Sequence, residues 1–129
     1  TNGETTKSGK RLWFQDGFWW YCPSHGANRS EISSLIREVK FSPAGLADKL
    51  HLGERTFRRI VTVSLGIPPG HWLRQLRAVA ARHRLREGGT VKQIATELGF
   101  RHQGDFCVEF KRWYETNPTN FLHSGEESS

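Results

Sequence analysis

SPAGLADKLHLGERTFRRIVTVSLG at residues 42–66 and TVKQIATELGFRHQGDFCVEFKRWYETNP at residues 90–118 follow one pattern twice. In each, a helix opened by Pro43 or Thr90 carries an alanine, then come a turn, a second helix and a phenylalanine anchor. Ala47 matches Ala95, Leu50 matches Leu98 and Phe57 matches Phe106. The spacing predicts a duplicated helix-turn-helix, and on a basic chain such a pair points to duplex DNA.

Local signals set the helix bounds. Ser42-Pro43 places a cap residue before proline at the first helical position, and Leu46, Ala47 and Leu50 form the buried face until Gly53 breaks the helix. The next helix, 54–65, turns Phe57, Ile60 and Val61 inward and ends at Gly66, which leaves Arg55, Arg58 and Arg59 outward. GIPPG then leads into a long helix from about His71 to Glu87. Trp72, Leu73, Leu76, Ala80, Ala81 and Leu85 give it an apolar side, and Gly88-Gly89 end it. Thr90 with Gln93 predicts a capping box over Val91, Ile94, Ala95 and Leu98, closed by Gly99. Phe106, Phe110 and Trp113 mark the inward side of the following helix, and Asn117-Pro118 open a last turn ending near Leu122.

Upstream the pattern differs. RLWFQDGFWWYC, residues 11–22, sets Asp16-Gly17 between two aromatic runs, the signal for a tight β-hairpin turn. An isolated hairpin is marginal in water, so Trp13, Phe14, Phe18, Trp19, Trp20 and Tyr21 need a partner. The choices are the helical region, a second copy of the chain, or a lost sensor domain. Ser30 reads as the N-cap of a helix with the stripe Ile32, Leu35, Ile36 and Val39. The expected organisation is a polar tail with the hairpin over 1–29, a double helix-turn-helix domain over 30–123 and a polar tail over 124–129. In fold class this is all-α, two helix-turn-helix units joined by a long linker helix, with a short N-terminal aromatic hairpin.

Composition narrows the partner. The 129 residues hold 19 Lys and Arg against 13 acids, a net charge of +6, which favours a polyanion. From Arg55 to Arg86 eight arginines occur with no acid among them. The length accommodates one compact domain of short helices, without room for a separate effector-sensing domain. An opening Thr1 reads as a processed chain or a piece of something longer. No apolar run approaches the roughly 20 residues of a membrane span, and there is no signal-peptide pattern, so a soluble, cytoplasmic protein with no membrane partner is expected. Cys22 and Cys107 are far apart in sequence and read as reduced thiols.

Arginine on the outward face of a second helix suits the major groove, because its planar fork can donate to guanine O6 and N7 together. Arg55, Arg58 and Arg59 have the spacing for that. The residues LADKLHLGERTF, Trp72-Leu73 with Arg77 and Ala81, IATELGF, Gln103, Phe106, Phe110-Lys111 and Pro118 resemble the DNA-binding domain of AraC/XylS-type bacterial transcription regulators, over residues 30 to 122. The resemblance implies two helix-turn-helix units on a linker helix, with both recognition helices in successive major grooves. It implies base contacts from Arg55, Arg58 and Arg59 in the first unit, and from Gln103, Asp105, Cys107 and Val108 in the second. Lys111 and Arg112 would then meet phosphates, and RNA polymerase would be a further partner. The chain departs from the family in having His102 and Gly104 where an acid and a small hydroxyl are common, and Glu115 where a glycine is usual.

Other chemistries have weaker support. Cys22 and His25 have C-x2-H spacing, and His102 with Cys107 could complete a tetrahedral set, but no dense ligand pair recurs, so neither metal nor cofactor is expected. No histidine pairs with a serine or carboxylate in a nucleophile motif, and no glycine-rich phosphate loop is present, so no enzyme is expected. The competing reading is a protein-interaction module that docks a partner through the aromatic hairpin, with the helical repeat as scaffold. A third, RNA binding on stacked aromatics, predicts preference for single strands.

Overall fold

The computed structural model describes residues 9–121, and the expected polar tails lie largely outside them. In order, the elements are β1 (Arg11–Gln15), β2 (Phe18–Cys22), β3 (Ser30–Glu31), α1 (Ser33–Glu38), α2 (Pro43–Lys49), α3 (Glu54–Leu65), α4 (Pro69–Arg86), α5 (Val91–Glu97) and α6 (Gln103–Tyr114). A final helical turn begins at Pro118. The chain divides into two compact units, one through Leu73 and one from Arg74, with the division falling inside α4.

The first unit opens on the predicted hairpin. Asp16 and Gly17 both have positive φ, 54° and 83°, the backbone of a two-residue turn whose twist matches the flanking strands. Gln15 pairs with Phe18 across it. The sheet has a third strand that the sequence reading missed: Ser30 and Glu31 pair with Tyr21 and Trp20. Ser30 is therefore not the N-cap of the next helix. That place falls to Ile32, whose N–H donates to the Trp19 carbonyl, while the Trp19 N–H donates to Ser33 Oγ. The open edge of β2 needed backbone partners more than α1 needed a cap.

The sheet packs on α3. Leu12 is fully buried and its N–H donates to Ser64 Oγ on that helix. Register places Leu12, Phe14, Trp19 and Tyr21 on one face, and Trp19 meets the Trp72 ring edge-on at 5.0 Å. Adjacent strand residues point to opposite faces, so Trp13 and Trp20 lie on the other one. The guanidinium groups of Arg11 and Arg29 cover them, 4.6 and 4.1 Å from the ring centroids. On that face the chain's own arginines thus cover two of the hairpin's rings. Behind the sheet lies a core of Ile32, Ile36, Phe41, Leu46, Ala47, Phe57, Ile60, Val61, Trp72 and Leu73.

The second unit is built on aromatic rings. Phe106 and Phe110 are buried and meet at 5.9 Å, Phe100 stacks on Phe106 at 5.4 Å, and Tyr114 and Phe121 close on Phe110. The Tyr114 hydroxyl donates to the Ala78 carbonyl, and burial pushes its pKa up. The capping box of Thr90 and Gln93 forms as the sequence predicts. Two details of the long helix differ from expectation. It starts at Pro69 rather than His71, since proline suits a first turn. Leu76 is only half-buried, and the buried stripe runs Trp72, Leu73, Ala78, Ala81 and Leu85.

The turn inside each helix pair shows the duplication at backbone level. Leu52 N–H donates to the Ala47 carbonyl and Phe100 N–H to the Ala95 carbonyl, both 2.9 Å, so α2 and α5 end in the same left-handed motif. The left-handed residue is Gly99 in the second unit but His51 in the first, at φ 58°. Gly53, expected to break α2, instead serves as the N-cap of α3. A side chain at such φ costs about 1 to 2 kcal/mol, of which glycine's extra unfolded-state freedom cancels part. His51→Gly is therefore expected to stabilise the first unit by about 0.5 to 1 kcal/mol in urea unfolding, and Gly99→Ala to destabilise the second. A His51→Gly protein no more stable than the parent would show that the left-handed turn carries no strain.

Candidate nucleic-acid interface

On α3 the inward residues Phe57, Ile60, Val61 and Ser64 are held by the core, which fixes the helix's rotation. What remains outward is Arg55, Arg58 and Arg59, all exposed, at the three- and four-residue spacings that make one helix face. Thr62 extends this face by a turn and is exposed as well. The arginine pattern alone passed over it; the periodicity 55, 58, 59, 62 would have found it.

The eight arginines of the acid-free stretch separate in the fold. Arg77 is bonded through two nitrogens to the Glu109 carboxylate and lies over the Phe100 ring at 4.3 Å. Arg84 holds Glu97 in the same two-nitrogen manner and also reaches Glu87. These bonds raise the Arg84 pKa above its ordinary value and lower that of Glu97. Arg82 and Arg86 lie over Tyr114 and Phe121. Arg55, Arg58, Arg59 and Arg74 make no ion pair or hydrogen bond among the described residues, so their donors face water. An unpaired guanidinium is free to bind an outside acceptor at no cost of breaking an internal pair.

The second helix presents a different surface. Gln103, Gly104, Asp105 and Val108 are exposed, while Cys107 is half-buried. Lys111 and Arg112 are exposed in the last turns of α6. Counting from the matched anchors Phe57 and Phe106, the places of Arg55, Arg58 and Arg59 fall to Gly104, Cys107 and Val108. Asp105 stands in the first turn, where a negative charge complements the helix N-terminus. Arg101 and His102, which the sequence reading did not assign to the surface, are exposed just before α6.

Elsewhere, Cys22 is buried, with its thiol 3.1 Å from the Ser24 carbonyl. Among the described residues no group of three or more His, Cys, Asp or Glu is placed to hold a metal ion. No helix among them is long and apolar enough to cross a membrane.

Comparison with known proteins bears on the fold and the family. The chain is 31% identical over 108 residues to the HTH-type transcriptional activator RhaS of Pectobacterium atrosepticum, covering 77% of this chain and 38% of that protein. It is 32% identical over 105 residues to an uncharacterized HTH-type transcriptional regulator of Mycobacterium tuberculosis, covering 75% of this chain and 30% of that one. The matched part thus spans about a third of those relatives' length. Among solved structures, the C-terminal domain of the two-component response regulator yesN from Fusobacterium nucleatum superposes with a TM-score of 0.62 at 25% identity, over 70% of this chain and 93% of that one. A transcriptional regulator from Chromobacterium violaceum, described as AraC-type DNA-binding domain-containing, gives 0.59 at 21% identity, over 70% and 84%. Residues 46–124 match the helix-turn-helix domain family, and with these relatives the chain belongs to the AraC-type family of helix-turn-helix transcription regulators.

Proposed function

We propose that the chain binds double-stranded DNA sequence-specifically, with α3 and α6 as its two reading helices, and thereby regulates transcription. The observation that carries this reading is the sorting of the arginines. Arg77, Arg82, Arg84 and Arg86 are engaged inside the second unit, whereas Arg55, Arg58 and Arg59 stand exposed and unpaired, among the described residues, on one face of a helix-turn-helix second helix. In that position their forks meet base edges, and Thr62 meets the neighbouring backbone or base. Gln103, Asp105, Cys107 and Val108 face a second stretch of groove, with Lys111 and Arg112 on phosphates. No catalytic step and no cofactor enters the reading. Acting on transcription brings in RNA polymerase as a further partner and the cytoplasm as the place of action. Phe14 and Phe18, 57% and 49% exposed at the turn end of the hairpin, are where a second copy or a sensor domain would attach.

Selection of bound fragments from random duplex DNA, followed by footprinting, tests this. Two short protected segments are expected, one for each helix-turn-helix, with affinity falling steeply as salt rises. Protection of a single segment would remove α6 from the reading surface. Preference for single strands, or binding indifferent to salt, would defeat the proposal.

A further inference from the structure

The face of α6 is too poor in positive charge to repeat what α3 does, and its chemistry suits a different base pair. Val108 is 62% exposed, the most exposed large apolar side chain among the described residues, and stands where Arg59 stands in the first unit. One turn before it lies Gly104, where a Cβ would meet nothing within 4 Å. Glycine there leaves the helix backbone bare and free to approach a groove floor closely. Gln103 opens the helix and is exposed beside it.

In the major groove each of these groups has a preferred partner. An apolar side chain gains most against the C5-methyl of thymine, and a glutamine amide can bond adenine N6 and N7 together. The exposed Asp105 carboxylate only accepts hydrogen bonds, so at the base it faces it excludes guanine and takes the amino group of adenine or cytosine. Resting on the DNA-binding reading above, we infer that α6 reads A·T pairs, with Val108 on a thymine methyl and Gln103 on an adenine, while α3 reads guanine. The operator is then chemically asymmetric, guanine-bearing under the first unit and A·T under the second.

The test uses the whole chain and the duplex recovered by selection. Thymidines of the second segment are replaced one at a time by deoxyuridine, which removes the methyl and leaves pairing intact. One such replacement is expected to weaken binding about fourfold, the worth of one buried methyl group. Val108→Ala should abolish that sensitivity, and its exposed position keeps the fold out of the result. Val108→Arg should shift the selected base at that position from thymine to guanine. Binding indifferent to every deoxyuridine in the second segment, or equally sensitive in Val108→Ala, would overturn the inference while leaving the DNA-binding reading standing. Failure to recover any preferred duplex would instead overturn both.

Discussion

Replacing Arg55, Arg58 and Arg59 together by alanine is expected to erase sequence discrimination by the first unit while leaving the fold intact. Each bidentate arginine contact to guanine is worth about 1 to 3 kcal/mol of discrimination, so the triple variant should lose several kcal/mol on its preferred duplex. On a scrambled duplex the loss should be much smaller, because contacts to base edges carry the sequence information and phosphate contacts do not. Stability should hold: all three side chains are exposed and without partners among the described residues, and alanine is the better helix former. The measurement is affinity for both duplexes at several salt concentrations, with urea unfolding as the control. Equal losses on the two duplexes, with a shallower salt dependence by about one unit per arginine, would make these residues phosphate contacts and sink the base-reading assignment.

The same residues show why so much of the fold could be read from the sequence. Amphipathic periodicity, proline and hydroxyl caps and the repeated Ala-Leu-Phe spacing are local, and helices follow local rules closely. Hence α2, α3, α5 and α6 lie where the pattern puts them, and Asp16-Gly17 makes its turn. The missed features depend on distant partners. Ser30 has the chemistry of a cap, yet β2 claims it as a strand residue because an unsatisfied sheet edge is more costly than an uncapped short helix. Leu76 fits the apolar stripe of α4, but helical phase puts Ala78 and Ala81 inward, with the Ala78 carbonyl accepting from the Tyr114 hydroxyl. For the surface, composition placed eight arginines in one stretch and could not say which were free. Glu109 and Glu97, which neutralise Arg77 and Arg84, and the rings under Arg82 and Arg86 come from chain 13 to 35 residues away. Only folding reveals that three of the four remaining arginines share one face of α3, with Arg74 on α4.

The ion pair between Arg77 and Glu109 is expected to be the most sensitive point of the second unit. Glu109 occupies the place that Ile60 holds in the first repeat, so one copy of the motif seats its second helix with an aliphatic side chain and the other with a charge pair. The two side chains are only 19% and 14% exposed, Arg77 Nε donates to Glu109 Oε2 at 2.8 Å, and the guanidinium is further covered by Phe100. Removing one partner leaves the other charge stranded, which costs about 3 kcal/mol at the lower end of the range for buried pairs. Arg77→Met should therefore destabilise the second unit by about that amount, and Glu109→Ala similarly. Combining Arg77→Met with Glu109→Ile, which copies the first repeat, should recover most of the loss, because a packed apolar pair of similar volume is often as stable as the ion pair it replaces. Urea unfolding of the parent, both single variants and the double variant gives the coupling directly. Single variants within about 0.5 kcal/mol of the parent, the range of ordinary surface substitutions, would show the pair to be ornamental. The functional counterpart is more selective. Since Glu109 lies between Val108 and Phe110 on α6, loosening it frees the rotation of the surface that would read the second segment. Footprints of Arg77→Met, taken under conditions where the protein is still folded, should keep the first protected segment and lose the second. Loss of both segments together would mean that the pair supports the whole fold rather than the seating of one helix.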